Sequence, residues 1–321
     1  MKVLFWPELP KNLREMADAL CPEAMELDWL GRDASESEMR NRLRGVECLF
    51  SHASGPVFPG VYPDLGRLKL VQLLSAGYDF LDIELARSNR LVVCTNGGAN
   101  AISVAEHTVL LILSVLRRLT ALDASMRTGR SERDPARNRE LAGRSVGLLG
   151  FGLIGREVAK RLHGFEVELL YHDLERASGE TEAALGASFR SLHELLAESD
   201  ILSLHTSLND QTRQIINRET LSLMKPGVVL VNTARGELVD EDALAEALQE
   251  GALMGAGLDV FAVEPPPSGH PLLAAELNVV ATPHAAGPTW ESFPRRIENA
   301  FANAERVRRG EAPLWVIPEL R

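Results

Sequence analysis

The chain has 321 residues of which 45% are hydrophobic, a content that can bury a sizeable core and a length that suggests about two domains. Its 34 basic residues are outnumbered by 45 acidic ones, giving a formal net charge of -11, which argues against nucleic acid or an anionic membrane as the main partner. Cys21, Cys48 and Cys94 are odd in number, widely separated and without metal-ligand spacing, so neither a disulfide framework nor a metal site is expected.

The N-terminal M-K-V-L-F-W-P-E is too short an apolar segment for a signal peptide. No stretch is long and apolar enough to span a bilayer; residues 104–116 come nearest and contain Glu106 and His107. A cytoplasmic protein is expected.

Through residues 1–97, short apolar runs (residues 2–6, 46–50, 68–74 and 91–94) alternate with helix-like polar segments, a pattern that favours a small α/β layer with a parallel sheet. This region has no G-x-G-x-x-G. Two polar, flexible spots follow strand ends, Ser51-His52-Ala53-Ser54-Gly55 and Ser75-Ala76-Gly77-Tyr78-Asp79. Ligands of open α/β sheets gather at the carboxyl ends of strands, and Gly77 would leave backbone N–H groups free to meet an anion. Both loops are candidate substrate contacts; the bland reading of each is a plain connection.

Thr95-Asn96-Gly97-Gly98 breaks the pattern and reads as a hinge. A long apolar helix is expected over residues 102–122, with Glu106, His107, Arg117 and Arg118 as its main polar positions. So apolar a helix must be covered, either by the second domain or by another subunit, and a homodimer is one expectation. The arm over residues 126–140 is charged and loop-like.

The stretch over residues 145–173 is the most informative. An apolar strand ends in Gly150-Phe151-Gly152-Leu153-Ile154-Gly155, and the spacing becomes helical through Val158, Ala159 and Leu162. Gly150 permits the tight turn, Gly152 lets the backbone approach a pyrophosphate, and Gly155 allows close packing of helix on strand. The helix start directs unpaired N–H groups and its positive dipole end at the phosphates. A second apolar run ends at Asp173, at a spacing suited to a carboxylate that grips a ribose diol, so NAD is expected rather than NADP. Arg176 nearby would give some tolerance for a 2′-phosphate.

From there strands recur with helices between them: residues 145–149, 167–171, 201–205, 228–232, 256–260 and 278–281. This is the βα repetition of a doubly wound sheet. A helix is bracketed by Asp240-Glu241-Asp242 and Gly251. Residues 98–287 are expected to form the nucleotide domain. A last helix capped by Ser292, with Pro294 in its first turn, should run to about Arg309, and residues 314–317 form an apolar tail. A single return crossing places residues 288–321 with residues 1–97 in the other domain.

Three polar residues lie just beyond strand ends where the cofactor's nicotinamide should rest: Arg235 in V-N-T-A-R-G, Glu264 in L-D-V-F-A-V-E-P and His284 in A-T-P-H-A-A-G. A guanidinium at Arg235 can hold a carboxylate in a bidentate fork that lysine cannot reproduce. His284 has the intrinsic pKa to exchange a proton near neutrality, and Glu264 bonded to its other ring nitrogen would fix the tautomer and favour the charged form. The remaining histidines lack such placement. His163 and His193 fall in helical segments, His107 lies on the apolar helix, His205 ends a strand without a paired acid, and His172 simply neighbours Asp173.

These residues resemble the D-isomer-specific 2-hydroxyacid dehydrogenases over nearly the whole chain. The likeness rests on L-L-S-A-G-Y-D, N-G-G-A-N-A-I-S-V-A-E-H, G-F-G-L-I-G-R, M-K-P-G-V-V-L-V-N-T-A-R-G-E-L-V-D, G-L-D-V-F-A-V-E-P and T-P-H-A-A-G. It implies an α/β architecture of two doubly wound parallel-sheet domains, a Rossmann NAD-binding domain inserted into a smaller flavodoxin-like substrate domain. It implies Arg235, Glu264 and His284 as the catalytic three, and Ser75, Ala76 and Gly77 as backbone contacts to the substrate carboxylate. Gly150, Gly152, Leu153, Ile154, Asp173, Thr206, Thr233, Ala234, Asp259 and Gly287 match the cofactor contacts, with Asp259 bonding the carboxamide. It also implies a dimer formed through the residue 102–122 helix.

The sequence departs from the family pattern at N-G-G-A-N-A, where N-x-P-G is more familiar, at Ala285, where a branched residue is common, and at Pro294. No catalytic group is removed. The expected activity is NAD(H)-dependent interconversion of a small 2-oxo acid, glyoxylate or hydroxypyruvate in kind, and its D-2-hydroxy acid. The alternatives are an NAD-binding scaffold or corepressor with vestigial catalysis, and a related formate or phosphite dehydrogenase, which would carry different polar partners.

Overall fold

The computed structural model describes residues 1–52, 59–131 and 137–321. Ala53, Ser54 and Gly55 of the first candidate loop, and residues 132–136 of the charged arm, lie outside the described residues. The chain divides into two compact units, Met1–Asn100 with Pro288–Arg321, and Ala101–Gly287.

The first unit is built on five parallel strands, β1 (Lys2–Trp6), β2 (Glu26–Trp29), β3 (Cys48–Ser51), β4 (Leu70–Leu73) and β5 (Val93–Cys94), in the order β2-β1-β3-β4-β5. Both faces of this sheet are covered, so its inner strands read as continuous apolar runs. Leu4 and Trp6 of β1 enter one core with Leu49, Val71 and Val93, while Val3 and Phe5 enter the other with Phe50 and Leu70. The sequence reading passed over β2, because Glu-Leu-Asp-Trp sits at the sheet edge, where its residues are at most half-buried and need not be apolar.

The last helix, Ser292–Arg308, covers the second of these faces with Phe293, Ile297, Ala300, Phe301 and Ala304. Ser292 is inside this helix rather than capping it. The N-cap position is Glu291, which makes no side-chain capping bond. The turn is closed by a reciprocal pair instead: Thr289 N–H donates to Ser292 Oγ at 3.0 Å and Ser292 N–H to Thr289 Oγ1 at 3.1 Å. Pro294 falls in the first turn, where a missing N–H costs nothing. The chain then returns along β5, with Thr95 N–H donating to Trp315 O and Ile317 N–H to Val93 O, both at 3.0 Å.

The second unit has seven parallel strands: β6 (Ser145–Leu149), β7 (Glu168–His172), β8 (Ala187–Phe189), β9 (Ile201–Leu204), β10 (Val228–Asn232), β11 (Leu253–Leu258) and β12 (Val279–Ala281). Their order is β12-β11-β10-β9-β6-β7-β8. The winding reverses between β6 and β9, which makes the carboxyl ends of those two strands the ligand crevice of this sheet. β8 has only three residues, too few to announce itself by alternation. β11 begins earlier than expected because Met254-Gly255-Ala256-Gly257 does not look like a strand. The reason for its small residues is contact: a Cβ on Gly257 would stand 2.8 Å from Leu111 Cβ of the helix above.

That helix is shorter than the sequence suggests. Ala101–Leu116 and Leu119–Arg127 are separate helices, broken where Arg118 takes a left-handed backbone at φ +50°. The break is stabilised because the exposed carbonyls find other donors. Val115 O accepts from Asn278 Nδ2 at 3.1 Å and Leu116 O from Arg139 N–H at 2.9 Å. Among the described residues, no helix is long and apolar enough to cross a membrane. Burial pushes the Cys48 and Cys94 thiols up to about 12, so both stay protonated at neutral pH.

Candidate active site

The turn after β6 has the shape a pyrophosphate requires. Gly150 sits at φ +100°, and a Cβ there would stand 2.6 Å from His205 C and Thr206 N, so the turn lies directly against the end of β9. A Cβ on Gly155 would stand 2.3 Å from Gly150 O, which fixes how closely the Leu153–Leu162 helix seats on the turn. Gly152 is the opposite case: it is exposed, and a Cβ would meet nothing within 4 Å. No side chain caps this helix, so its first N–H groups are left for an anion. Asp173, one residue beyond β7, accepts from Phe151 N–H at 2.6 Å through Oδ2 and from Leu174 N–H at 2.7 Å through Oδ1. The glycine turn and the acid thus meet, and they fit a dinucleotide. Arg176 is bound elsewhere, donating to Glu182 at 2.9 and 3.0 Å.

Arg235 lies in the loop leaving β10. Asn232, buried at the end of that strand, shapes the loop from within: its Nδ2 donates to Arg235 O at 2.7 Å and its Oδ1 accepts from Ala234 N–H at 3.0 Å. Gly236 follows, and a Cβ on it would stand 1.9 Å from Phe261 C. The Arg235 loop therefore lies against the segment that begins the Glu264 turn.

Glu264 and His284 are paired, Oε2 to Nδ1 at 2.8 Å, with side chains 40% and 46% exposed. An ionised carboxylate can only accept, so Nδ1 carries the proton and Nε2 is left for proton exchange. Glu264 is held in turn by Phe261 N–H, which donates to Oε1 at 3.1 Å. His284 has a left-handed backbone at φ +52°, uncommon for a residue with a Cβ. Asp259 holds it there. The main-chain N–H of His284 donates to Asp259 O at 2.7 Å, and those of Ala285 and Ala286 donate to the Asp259 carboxylate at 2.8 and 2.9 Å.

Asp259 is fully buried, and Thr282 Oγ1 donates to its Oδ1 at 2.5 Å. Its observed work is therefore to hold the His284 loop. Thr233 is also buried, its hydroxyl 3.1 Å from Thr108 Oγ1. Thr206, Ala234, Leu153 and Ile154 are half-buried or exposed around the strand ends, and Gly287 is buried. The sequence reading missed Asn232, Gly236, Thr282 and His107. Only Asn232 gave a signal, as an amide at a strand end three residues before the arginine.

In the first unit, Ser75 Oγ donates to Gly77 O at 2.7 Å and Asn96 N–H donates to Ser75 O at 3.0 Å, which fixes the loop after β4. Among the described residues, the N–H groups of Ala76 and Gly77 donate to no protein acceptor. Two other histidines are engaged by the protein itself. His172 Nδ1 lies 2.9 Å from Arg190 O. His205 is half-buried beside Ser203 Oγ, and desolvation of its ring pushes its pKa down to about 3, so it stays neutral.

Residues 109–286 match the family model described as the D-isomer specific 2-hydroxyacid dehydrogenase, NAD binding domain. The chain is 38% identical over 305 residues to a glyoxylate reductase of Thermofilum pendens, covering 94% of this chain and 88% of that one. The chain belongs to the D-isomer specific 2-hydroxyacid dehydrogenase family. A hydroxypyruvate reductase of Thermotoga maritima is 36% identical, with 88% of this dehydrogenase and 92% of that protein covered. Among solved structures, a glyoxylate reductase from Paecilomyes thermophila superposes with a TM-score of 0.86 at 28% identity, over 100% of this chain and 99% of that one. The dehydrogenase is an NAD-dependent oxidoreductase, and its two parallel-sheet domains are those of the family.

Proposed function

We propose that this dehydrogenase reduces a small 2-oxo acid, glyoxylate or hydroxypyruvate in kind, to the D-2-hydroxy acid, with His284 as the acid. The observation that carries the reading is the 2.8 Å bond from His284 Nδ1 to Glu264, which leaves Nε2 to exchange the proton. The Gly150–Gly152 turn, Leu153, Ile154, Asp173, Thr206, Thr233, Ala234 and Gly287 would hold NAD(H), which would supply or take up the hydride. Arg235 holds the substrate carboxylate in its fork, and in the first unit we assign the N–H groups of Ala76 and Gly77, on the loop opened by Ser75, as substrate contacts. His284 Nε2 gives its proton to the carbonyl oxygen, and Glu264 stabilises the charged imidazolium before that transfer. Asp259, fully buried with both oxygens engaged by the His284 loop, serves by holding that loop rather than by bonding the carboxamide.

The test is loss of NADH absorbance with glyoxylate, hydroxypyruvate, pyruvate and branched or aromatic 2-oxo acids. Turnover with a small member supports the reading. Failure of every acid while NADH binds would replace it with an NAD-binding scaffold.

Cofactor choice rests on Asp173. Arg176, the cation nearest the acid in sequence, is engaged by Glu182 and so does little to offset the repulsion of a 2′-phosphate by Asp173. NADH should therefore be preferred over NADPH, and Asp173→Ser should narrow the ratio of their kcat/KM values by about tenfold or more. Equal rates with both cofactors in the unaltered enzyme would refute the assignment.

A cytoplasmic homodimer is the assembly we assign, on the exposed Ile102 and Leu110 of the Ala101–Leu116 helix and Leu119 and Met126 of the next. Light scattering that gives a monomer would remove it.

A further inference from the structure

His107 and Thr108 are neighbours on the Ala101–Leu116 helix, and each bonds to a different loop of the second unit. His107 Nε2 lies 2.9 Å from Thr282 Oγ1 and 3.6 Å from Asp259 Oδ1. Thr108 Oγ1 lies 3.1 Å from Thr233 Oγ1. Thr282 opens the loop that bears His284, and Thr233 opens the loop that bears Arg235.

Counting protons fixes the direction of both contacts. Thr282 has one hydroxyl hydrogen and gives it to Asp259 Oδ1 at 2.5 Å, so His107 Nε2 must be the donor to Thr282. Thr108 gives its hydrogen to Val104 O at 2.8 Å, so Thr233 donates to Thr108. The chain from His107 is then continuous. It runs through Thr282 into the buried Asp259 carboxylate, and from there to the main-chain N–H groups of Ala285 and Ala286, while Asp259 O accepts from His284 itself.

A histidine that only filled space would not need this network. Asp259 is fully buried, and a carboxylate there needs every donor it has. The left-handed backbone of His284 persists only if the surrounding bonds determine it. His107 supplies a donor at the base of that arrangement, 16% exposed at its side chain.

We infer that His107 and Thr108 are positioning residues: one helix sets the placement of both loops, His107 through Thr282 and Asp259 for His284, and Thr108 through Thr233 for Arg235. The inference rests on the catalytic reading of His284 and Arg235. It predicts a split that loss of stability alone would not produce. His107→Leu should lower kcat about tenfold with NADH affinity unchanged, because a displacement of the acid of about half an ångström is a fraction of the ~1 Å that costs about a hundredfold. His107→Gln, whose amide nitrogen reaches as Nε2 does, should recover most of that loss. Thr108→Val should instead raise KM for the 2-oxo acid several-fold with a smaller change in kcat.

Steady-state kinetics, NADH fluorescence titration and thermal melting of the full-length variants read these effects, with His284→Ala measured in parallel. If His107→Leu does not fold, the Gln and Thr108→Val variants carry the test. Unaltered kcat in folded His107→Leu, or a Gln variant as impaired as the Leu variant, overturns the inference. So does Thr108→Val with unchanged KM. If His284→Ala also keeps normal turnover, the catalytic reading itself has failed, and the two failures are thereby told apart.

Discussion

His284→Ala should lower turnover by about two orders of magnitude or more, the usual cost of removing a general acid, with NADH affinity left near that of the unaltered enzyme. The two halves of this result come from different places. The imidazole is paired to Glu264 at 2.8 Å and lies beyond β12, whereas the glycine turn and Asp173 lie beyond β6 and β7. The ring's main-chain support does not depend on its side chain. His284 N–H donates to Asp259 O, and the next two N–H groups donate to the Asp259 carboxylate, so alanine leaves the loop anchored. Removing the Cβ substituents also leaves no cavity in a core, because the side chain is nearly half exposed. Kinetics with saturating NADH and a fluorescence titration separate the two halves. Near-normal turnover in the variant would remove His284 as the acid, and loss of NADH binding would mean that the imidazole itself helps to hold the cofactor.

How much of this was legible in the sequence depends on whether the information was local. The turn Gly150-Phe151-Gly152 and the acid Asp173 are fixed by one strand-turn-helix-strand unit, and the structure joins them through the bond from Phe151 N–H to Asp173. Both winding sheets announced themselves by apolar runs because their inner strands are covered on two faces. What escaped were elements whose reason for existing lies elsewhere in the chain. β2 and β8 are edge strands with little apolar content, and the glycines of β11 made it look unlike a strand until Leu111 is seen against Gly257. The break at Arg118 depends on Asn278 and Arg139, far along the sequence, capping the helix end.

The site follows the same rule. Arg235, Glu264 and His284 were found from chemistry and strand ends. Nothing local marks His107, because the group that gives it a role is Thr282, 175 residues away. Asp259 illustrates a subtler gap. A carboxylate at a strand end reads as a ligand contact, but in the fold both its oxygens are engaged by its own loop.

Gly236→Ala should be the most damaging conservative substitution in the second unit outside its cores. The added Cβ would stand 1.9 Å from Phe261 C, 2.2 Å from Ala262 N and 2.4 Å from Phe261 O. All three are backbone atoms, so no side-chain rotation relieves them, and the two segments must part by about 1.5 Å to reach van der Waals contact. The dihedral is not the obstacle, since Gly236 is absent from the positive-φ residues. The segments concerned are the two that bring the candidate groups together. Arg235 immediately precedes Gly236, and Phe261 N–H holds Glu264 at 3.1 Å.

Phe261 and Ala262 are also poorly placed to yield, because Ala262 N–H donates to Glu241 Oε1 at 2.9 Å while Glu241 Oε2 is 3.2 Å from His270 Nε2. Overpacking of this kind costs about 1–3 kcal/mol of stability, and a displacement of about 1 Å between reacting groups costs about a hundredfold in rate. The expected result is a folded protein with a lowered melting temperature, NADH binding retained, and kcat/KM reduced by about two orders of magnitude. Gly164→Ala is the matched control, because a Cβ there meets nothing within 4 Å and its φ is ordinary; it should change neither melting nor rate. A Gly236→Ala enzyme with unaltered kcat/KM would show that the Arg235 and Glu264 segments can move apart without consequence, and the geometric basis for joining them in one site would go with it.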